Sequence, residues 1–132
     1  MANQKKVYPV EDVKKGDYMV WSVCSQAERT AMVELKDDSY VYATINKTSH
    51  STELQDLTSG TKGCLYKGGR NLRFEVTIFD ASAPQQGCKS VNGILDKKAR
   101  FVGRTMSICI EDGIDNDFND LYITLTSWKN KG

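Results

Sequence analysis

"LYITLTSW", residues 121–128, alternates Leu121, Ile123 and Leu125 with Tyr122, Thr124 and Thr126. Successive side chains of an extended chain point to opposite faces, so this period of two reads as a strand with one packed face and one wetter face. Working outward, "LRFEVTIF" (72–79) repeats the pattern, with Leu72, Phe74, Val76 and Ile78 on one side and Arg73, Glu75 and Thr77 on the other. "DYMVWSVC" (17–24), "RTAMVELK" (29–36), "SYVYATIN" (39–46) and "ARFVGRTMSICI" (99–110) are rich in β-branched and aromatic residues and read as further strands. Between them lie the turn-forming clusters "LKDDS", "TSGTKG", "YKGGRN", "DASAPQQG" and "SVNG", with "YKGGR" (66–70) read as a hairpin turn. No segment holds a helical period, although "VEDVKKG" (10–16) suits a single turn, and residues 47–70 read as one long connection. The spacing suits an antiparallel sandwich or barrel.

Length and composition restrict the classes further. The chain of 132 residues reads as one domain, 1–132, and 39% hydrophobic with 27% charged residues is ordinary for a folded chain with a real core. A formal net charge of +1 supplies no basic field for nucleic acid or an anionic membrane surface. The opening "MANQKKVYPVEDVKKGDY" has no apolar run of signal-peptide length, and no stretch of about 18 apolar residues occurs in the sequence. The expectation is therefore synthesis in the cytoplasm without a signal peptide, no membrane insertion, and any release by a non-classical route. Cys24, Cys64, Cys88 and Cys109 lack C-x-x-C spacing, which argues against a zinc site; they read as buried free thiols, with one or two disulfides as the alternative.

The small net charge hides a segregation. Immediately before the strand at 121–128 stands "EDGIDNDFND" (111–120), five carboxylates in ten residues with no Lys or Arg, while the other 122 residues hold 18 basic and 12 acidic side chains. Such a run is either well solvated or gathers a cation. Calcium takes six to eight oxygens, so the ligands have to converge, and Gly113 with the Asp- and Asn-rich path through 115–120 lets the backbone curl to bring them together. The loop is not an EF-hand: counted from Asp115, the required glycine is Asp120 and the bidentate glutamate is Thr126, and a strand follows where a helix is needed.

The decade Glu-Asp-Gly-x-Asp-Asn-Asp-aromatic-Asn-Asp, followed by a strand, Trp128 and a C-terminal Gly132, closely resembles the calcium loop of the small bacterial calcium-mediated lectins that bind fucose and mannose. Nine of the ten positions match, with Ile114 at the variable one. The resemblance implies a lectin-like, all-β antiparallel β-sandwich with two Ca²⁺ ions in the loop. It implies Glu111, Asp115, Asp117, Asn119 and Asp120 as ligands, Asp117 and Asp120 bridging both ions, and the Gly132 carboxylate of a partner subunit reaching a calcium. Asp112 and Ile114 would face the sugar, whose vicinal hydroxyls complete the coordination. A second likeness, at "LRFEVTIFDASAPQQ" (72–86), implies the Ala81 carbonyl as a calcium ligand and Ser82 as a sugar contact; Asp80, one residue early, is the alternative source of an oxygen, from its side chain.

The expected partners are thus fucose- or mannose-type glycans, and weak binding at each site favours a homodimer or higher homo-oligomer. The alternative is a calcium-stabilised adhesion or structural domain with a protein partner, in which the ion keeps no open position for a diol. An enzyme is not expected. Glycoside hydrolysis needs two carboxylates of unequal pKa at a defined separation, whereas five in one loop suit a shared cation. His50 is the one histidine and has no motif around it, and Trp21 and Trp128 read as core or edge residues.

Overall fold

The computed structural model describes residues 2–111 and 120–129. The strands in it are β1 (Ala2–Pro9), β2 (Asp17–Ser25), β3 (Ala31–Lys36), β4 (Val41–Lys47), β5 (Gln55–Asp56), β6 (Gly63–Leu65), β7 (Arg73–Ala81), β8 (Gln86–Leu95), β9 (Phe101–Glu111) and β10 (Leu121–Lys129). Two antiparallel sheets form: β1-β7-β3-β4, and β5-β2-β10-β9-β8 with β6 also pairing β2. This is the all-β sandwich that the alternating segments predict, and no helix among the described residues is long and apolar enough to cross a membrane.

Periodicity becomes packing between the sheets. Val33 and Leu35 of β3 and Phe74, Val76 and Ile78 of β7 face Trp21 and Val23 of β2, Ile108 and Ile110 of β9, and Leu121, Ile123 and Leu125 of β10, all buried in one core. Each such side chain contributes about 1.5–3 kcal/mol on leaving water. Trp21 is a core residue, whereas Trp128 is 39% exposed and stacks on Tyr18 at 5.4 Å.

Four strands go beyond the sequence reading. β1 and β8 are outer strands of their sheets, and β5 and β6 are short pieces that pair β2. The "SVNG" cluster, expected to turn, lies inside β8, where Ser90, Val91, Asn92 and Gly93 pair Ser107, Met106, Thr105 and Arg104. A strand bonded on one side only, with little burial, carries no alternation to read. The expected long connection at 47–70 contains β5 and β6, and "YKGGR" is no hairpin turn: it carries the chain from β6 in one sheet to β7 in the other. The "VEDVKKG" segment does hold one tight turn, closed by the Asp17 amide donating to the Lys14 carbonyl at 2.9 Å. The cysteines are free thiols as expected, but Cys88 is exposed and the other three are half-buried.

Candidate functional site

The connections from β2 to β3 (26–30), from β4 to β5 (48–54), from β7 to β8 (82–85) and from β9 to β10 (112–120) all leave one end of the sandwich. Pairing fixes this: Ala31 lies beside Lys47 and Ile78, Cys24 beside Tyr122, and Gln86 beside Glu111. Ala81, Ser82, Glu111 and Asp120, which lie in distant parts of the sequence, therefore come to the same end.

Glu111 closes β9 and Asp120 precedes β10, so the two carboxylates stand at the two feet of the acidic loop. Both are buried, with 0% and 7% exposure. The Asp120 amide donates to the Ile110 carbonyl at 3.1 Å, which carries the β9–β10 ladder to the root of the loop. Ser25, fully buried at the end of β2, donates its hydroxyl to the Asp120 carbonyl at 2.6 Å and accepts from the Ala27 amide at 3.2 Å. Lys47, 2% exposed at the end of β4, brings a buried ammonium to this end and donates to the Ser49 carbonyl. Glu111, Asp120 and Lys47 each have further interaction partners. Charged groups removed from water need such compensation by hydrogen bonds, opposite charge or a bound ion.

The β7–β8 connection lies at the same end. Asp80 adopts φ of +53° where the register of β1 against β7 shifts, a bulge beyond which Ala81 pairs Ala2 again before the chain leaves the sheet. Its carbonyl accepts from the Arg29 guanidinium and its amide donates to Asn3 Oδ1 at 3.3 Å, while its side chain is exposed. Ala81 is buried, and Ser82 is exposed directly after it. Gln85 pins the connection from within: Nε2 donates to the Gln4 and Val76 carbonyls at 2.9 and 2.8 Å, and Oε1 accepts from the Tyr8 hydroxyl at 3.0 Å. Burial, and behind it the nearby Cys88, push the Tyr8 hydroxyl up, so it remains a neutral donor.

Asp112, Ile114, Asp115, Asp117, Asn119 and Gly132 lie outside the described residues. Among the described residues, no group of three or more His, Cys, Asp or Glu side chains gathers in a way that could hold a metal. The sequence reading missed Ser25, Arg29, Lys47 and Gln85. Ser25 and Lys47 each continue the inward alternation of a strand into its last residue, and that continuation was the available signal. His50 is exposed, with its Nδ1 3.2 Å from the Glu28 carbonyl, and Trp128 lies at the other end of β10 from the acidic loop.

No family profile matches the sequence, and no curated protein matches it. Solved structures do match the fold. The C-terminal domain of the BC2L-C lectin of Burkholderia cenocepacia aligns over 94% of this chain and 96% of its own, with TM-score 0.60 and 16% identity. The Chromobacterium violaceum lectin CV2L, solved with alpha-methyl-fucoside, aligns over 93% and 96%, with TM-score 0.58 and 17% identity. The Ralstonia solanacearum high-affinity mannose-binding lectin aligns over 91% and 93%, with TM-score 0.55 and 18% identity. At these identities the likeness shows the fold: the chain is built on the antiparallel sandwich that those lectin domains share.

Proposed function

We propose that this protein is a calcium-dependent lectin that binds vicinal hydroxyls of fucose- or mannose-type sugars at the end of the sandwich carrying residues 111–120. The observation that carries the reading is the acidic loop itself, bounded by the buried carboxylates of Glu111 and Asp120. Support comes from the shared fold of a fucoside-bound lectin and a mannose-binding lectin.

The donor set fits calcium. Glu111, Asp115, Asp117, Asn119 and Asp120 offer hard oxygen atoms only, and their four carboxylates balance two divalent ions. These residues would hold two Ca²⁺, joined by the Ala81 carbonyl and by Gly132 of a partner subunit. Bound calcium would supply electrostatic attraction for paired sugar hydroxyl oxygens. Asp112, Ile114, Asp80 and Ser82 would shape the rim and accept or donate hydrogen bonds to the remaining hydroxyls. The activity is binding rather than catalysis, and association into a homodimer or higher oligomer would multiply weak single-site affinities.

A glycan array run with calcium and again with excess chelator tests this. Chelator-sensitive retention of fucose- or mannose-bearing glycans is expected. Calcium-dependent thermal stabilisation without any glycan retained would replace the lectin reading with a calcium-braced domain whose partner is a protein.

A further inference from the structure

Three of the four cysteines lie in one row across the six-stranded sheet. Asp56 pairs Cys24, Cys24 pairs Tyr122, Tyr122 pairs Cys109, and Cys109 pairs Cys88. Cys109 lies between the inward Ile108 and Ile110, so it and its partner Cys88 point to the outer face. Directly opposed residues of antiparallel strands have Cα atoms about 4.5–5.5 Å apart, within the span of about 4.4–6.8 Å that a disulfide bridges. Their Cβ atoms, about 4.5–5.5 Å apart, need only a small approach to reach bonding geometry.

We propose that Cys88 and Cys109 form a reversible cross-strand disulfide, with a low-molecular-weight disulfide such as oxidised glutathione as the oxidant. The Cys88 thiolate attacks one sulfur of that disulfide, forming a mixed disulfide and releasing one thiolate. The Cys109 thiolate then attacks Cys88 Sγ and releases the second. The two protein thiol protons leave on the two released thiols, and the protein pair is oxidised by two electrons as the small disulfide is reduced. Exposure of Cys88 gives the oxidant access.

The other thiols are excluded by geometry. Cys24 is separated from Cys109 by the whole of β10, about 9–10 Å at ordinary strand spacing, and Cys64 sits on β6 beyond β2. Burial, with Asp56 adding to it, pushes the Cys24 thiol up, and burial does the same to Cys64, so both are weaker thiolate sources. The bond would fasten the outer strand β8 to β9 two register steps from the Gln86–Glu111 pair, at the root of the acidic loop. A bond with an exposed partner, drawn slightly from its ideal geometry, belongs to the reducible class rather than the permanent one.

Each cysteine falls on its own tryptic peptide: 16–29, 63–67, 74–89 and 105–129. The reduced full chain is equilibrated with oxidised and reduced glutathione, alkylated, and digested without reduction. The expected result is loss of two of the four alkylatable thiols, a 74–89/105–129 cross-link, and its disappearance on returning to reduced glutathione. In Cys109→Ser, Cys88 should instead end as a stable glutathione adduct. Four alkylated thiols, a persistent glutathione adduct on wild-type Cys88, or a cross-link between any other peptides would each overturn the proposal.

Discussion

The hydroxyl of Ser25 donates to the main-chain carbonyl of Asp120 at 2.6 Å, joining the end of β2 to the foot of the acidic loop across 95 residues of sequence. Both residues are buried, so the hydroxyl removed by Ser25→Ala is not replaced by bulk water. Losing one partner of a buried pair costs about 1–3 kcal/mol, and the urea midpoint should fall accordingly. The same variant should loosen the loop and weaken any calcium-dependent stabilisation measured by thermal shift. A midpoint equal to wild type would mean that the foot of the loop is held by other contacts.

A different buried carboxylate organises the opposite end of the sandwich. Asp37 accepts from the Ser39 and Tyr40 amides, both at 2.7 Å, and from the Tyr42 hydroxyl. Burial pushes its carboxyl up, but the Tyr42 hydroxyl and the Ser39, Tyr40 and Gly69 amides more than reverse this, leaving it below the usual carboxylate range. A Cβ on Gly69 would lie 2.2 Å from the Asp37 carboxyl carbon, so the absence of a side chain is what admits the carboxylate. Gly69→Ala should therefore destabilise by about 1–3 kcal/mol, as overpacking does. Chemical denaturation measures it, and an unchanged midpoint would show that Asp37 can move aside freely.

The order in which these features become legible follows burial. β2, β7, β9 and β10 were readable because each buries one face, so composition alternates along them, as in Leu121, Ile123 and Leu125. β1, β5, β6 and β8 were not: they are outer or very short strands, and in β8 nearly every residue is exposed, so nothing selects an apolar period. The acidic loop was legible because it breaks the charge balance of the chain. Its surroundings were not, since Ser25 holds the foot of the loop and Gln85 the β7–β8 connection through main-chain carbonyls, and the choice of carbonyl depends on topology rather than on residue type.

Glu75 gives the fold a pH dependence of known sign. Its carboxylate, 8% exposed, accepts from Lys5 and Arg73, each at 2.7 Å, and these two hydrogen bonds lower it from 4.5 to about 2. Because the folded value lies below the unfolded one, the contribution is full above about pH 4.5 and is lost as pH falls towards 2. Glu75→Gln should lower stability at neutral pH by about 1.5–3 kcal/mol, the range for hydrogen bonds to charged groups, nearer the lower end because Lys5 is largely solvated. More tellingly, urea midpoints from pH 5 to about pH 2 should decline less steeply in the variant than in wild type. Parallel slopes would assign the acid sensitivity to other carboxylates.

Asp117 offers the sharpest separation between the readings of the acidic loop. In the proposed site Asp117 is shared by two ions, so Asp117→Ala would remove calcium at both positions and sugar binding with it. The unfolded chain cannot hold the site, so with calcium at 100 times its dissociation constant each of the two proposed ions should stabilise wild type by about 2.7 kcal/mol, about 5.4 kcal/mol together. Asp117→Ala should lose that increment while keeping at least the stability of the chelated wild type, since removing one acid from the run relieves repulsion. Retained chelator-sensitive glycan binding in the variant would remove Asp117 from the ligand set. Loss of glycan binding with the full calcium increment intact would separate ion binding from sugar binding, and would leave calcium bracing the loop while other residues meet the sugar.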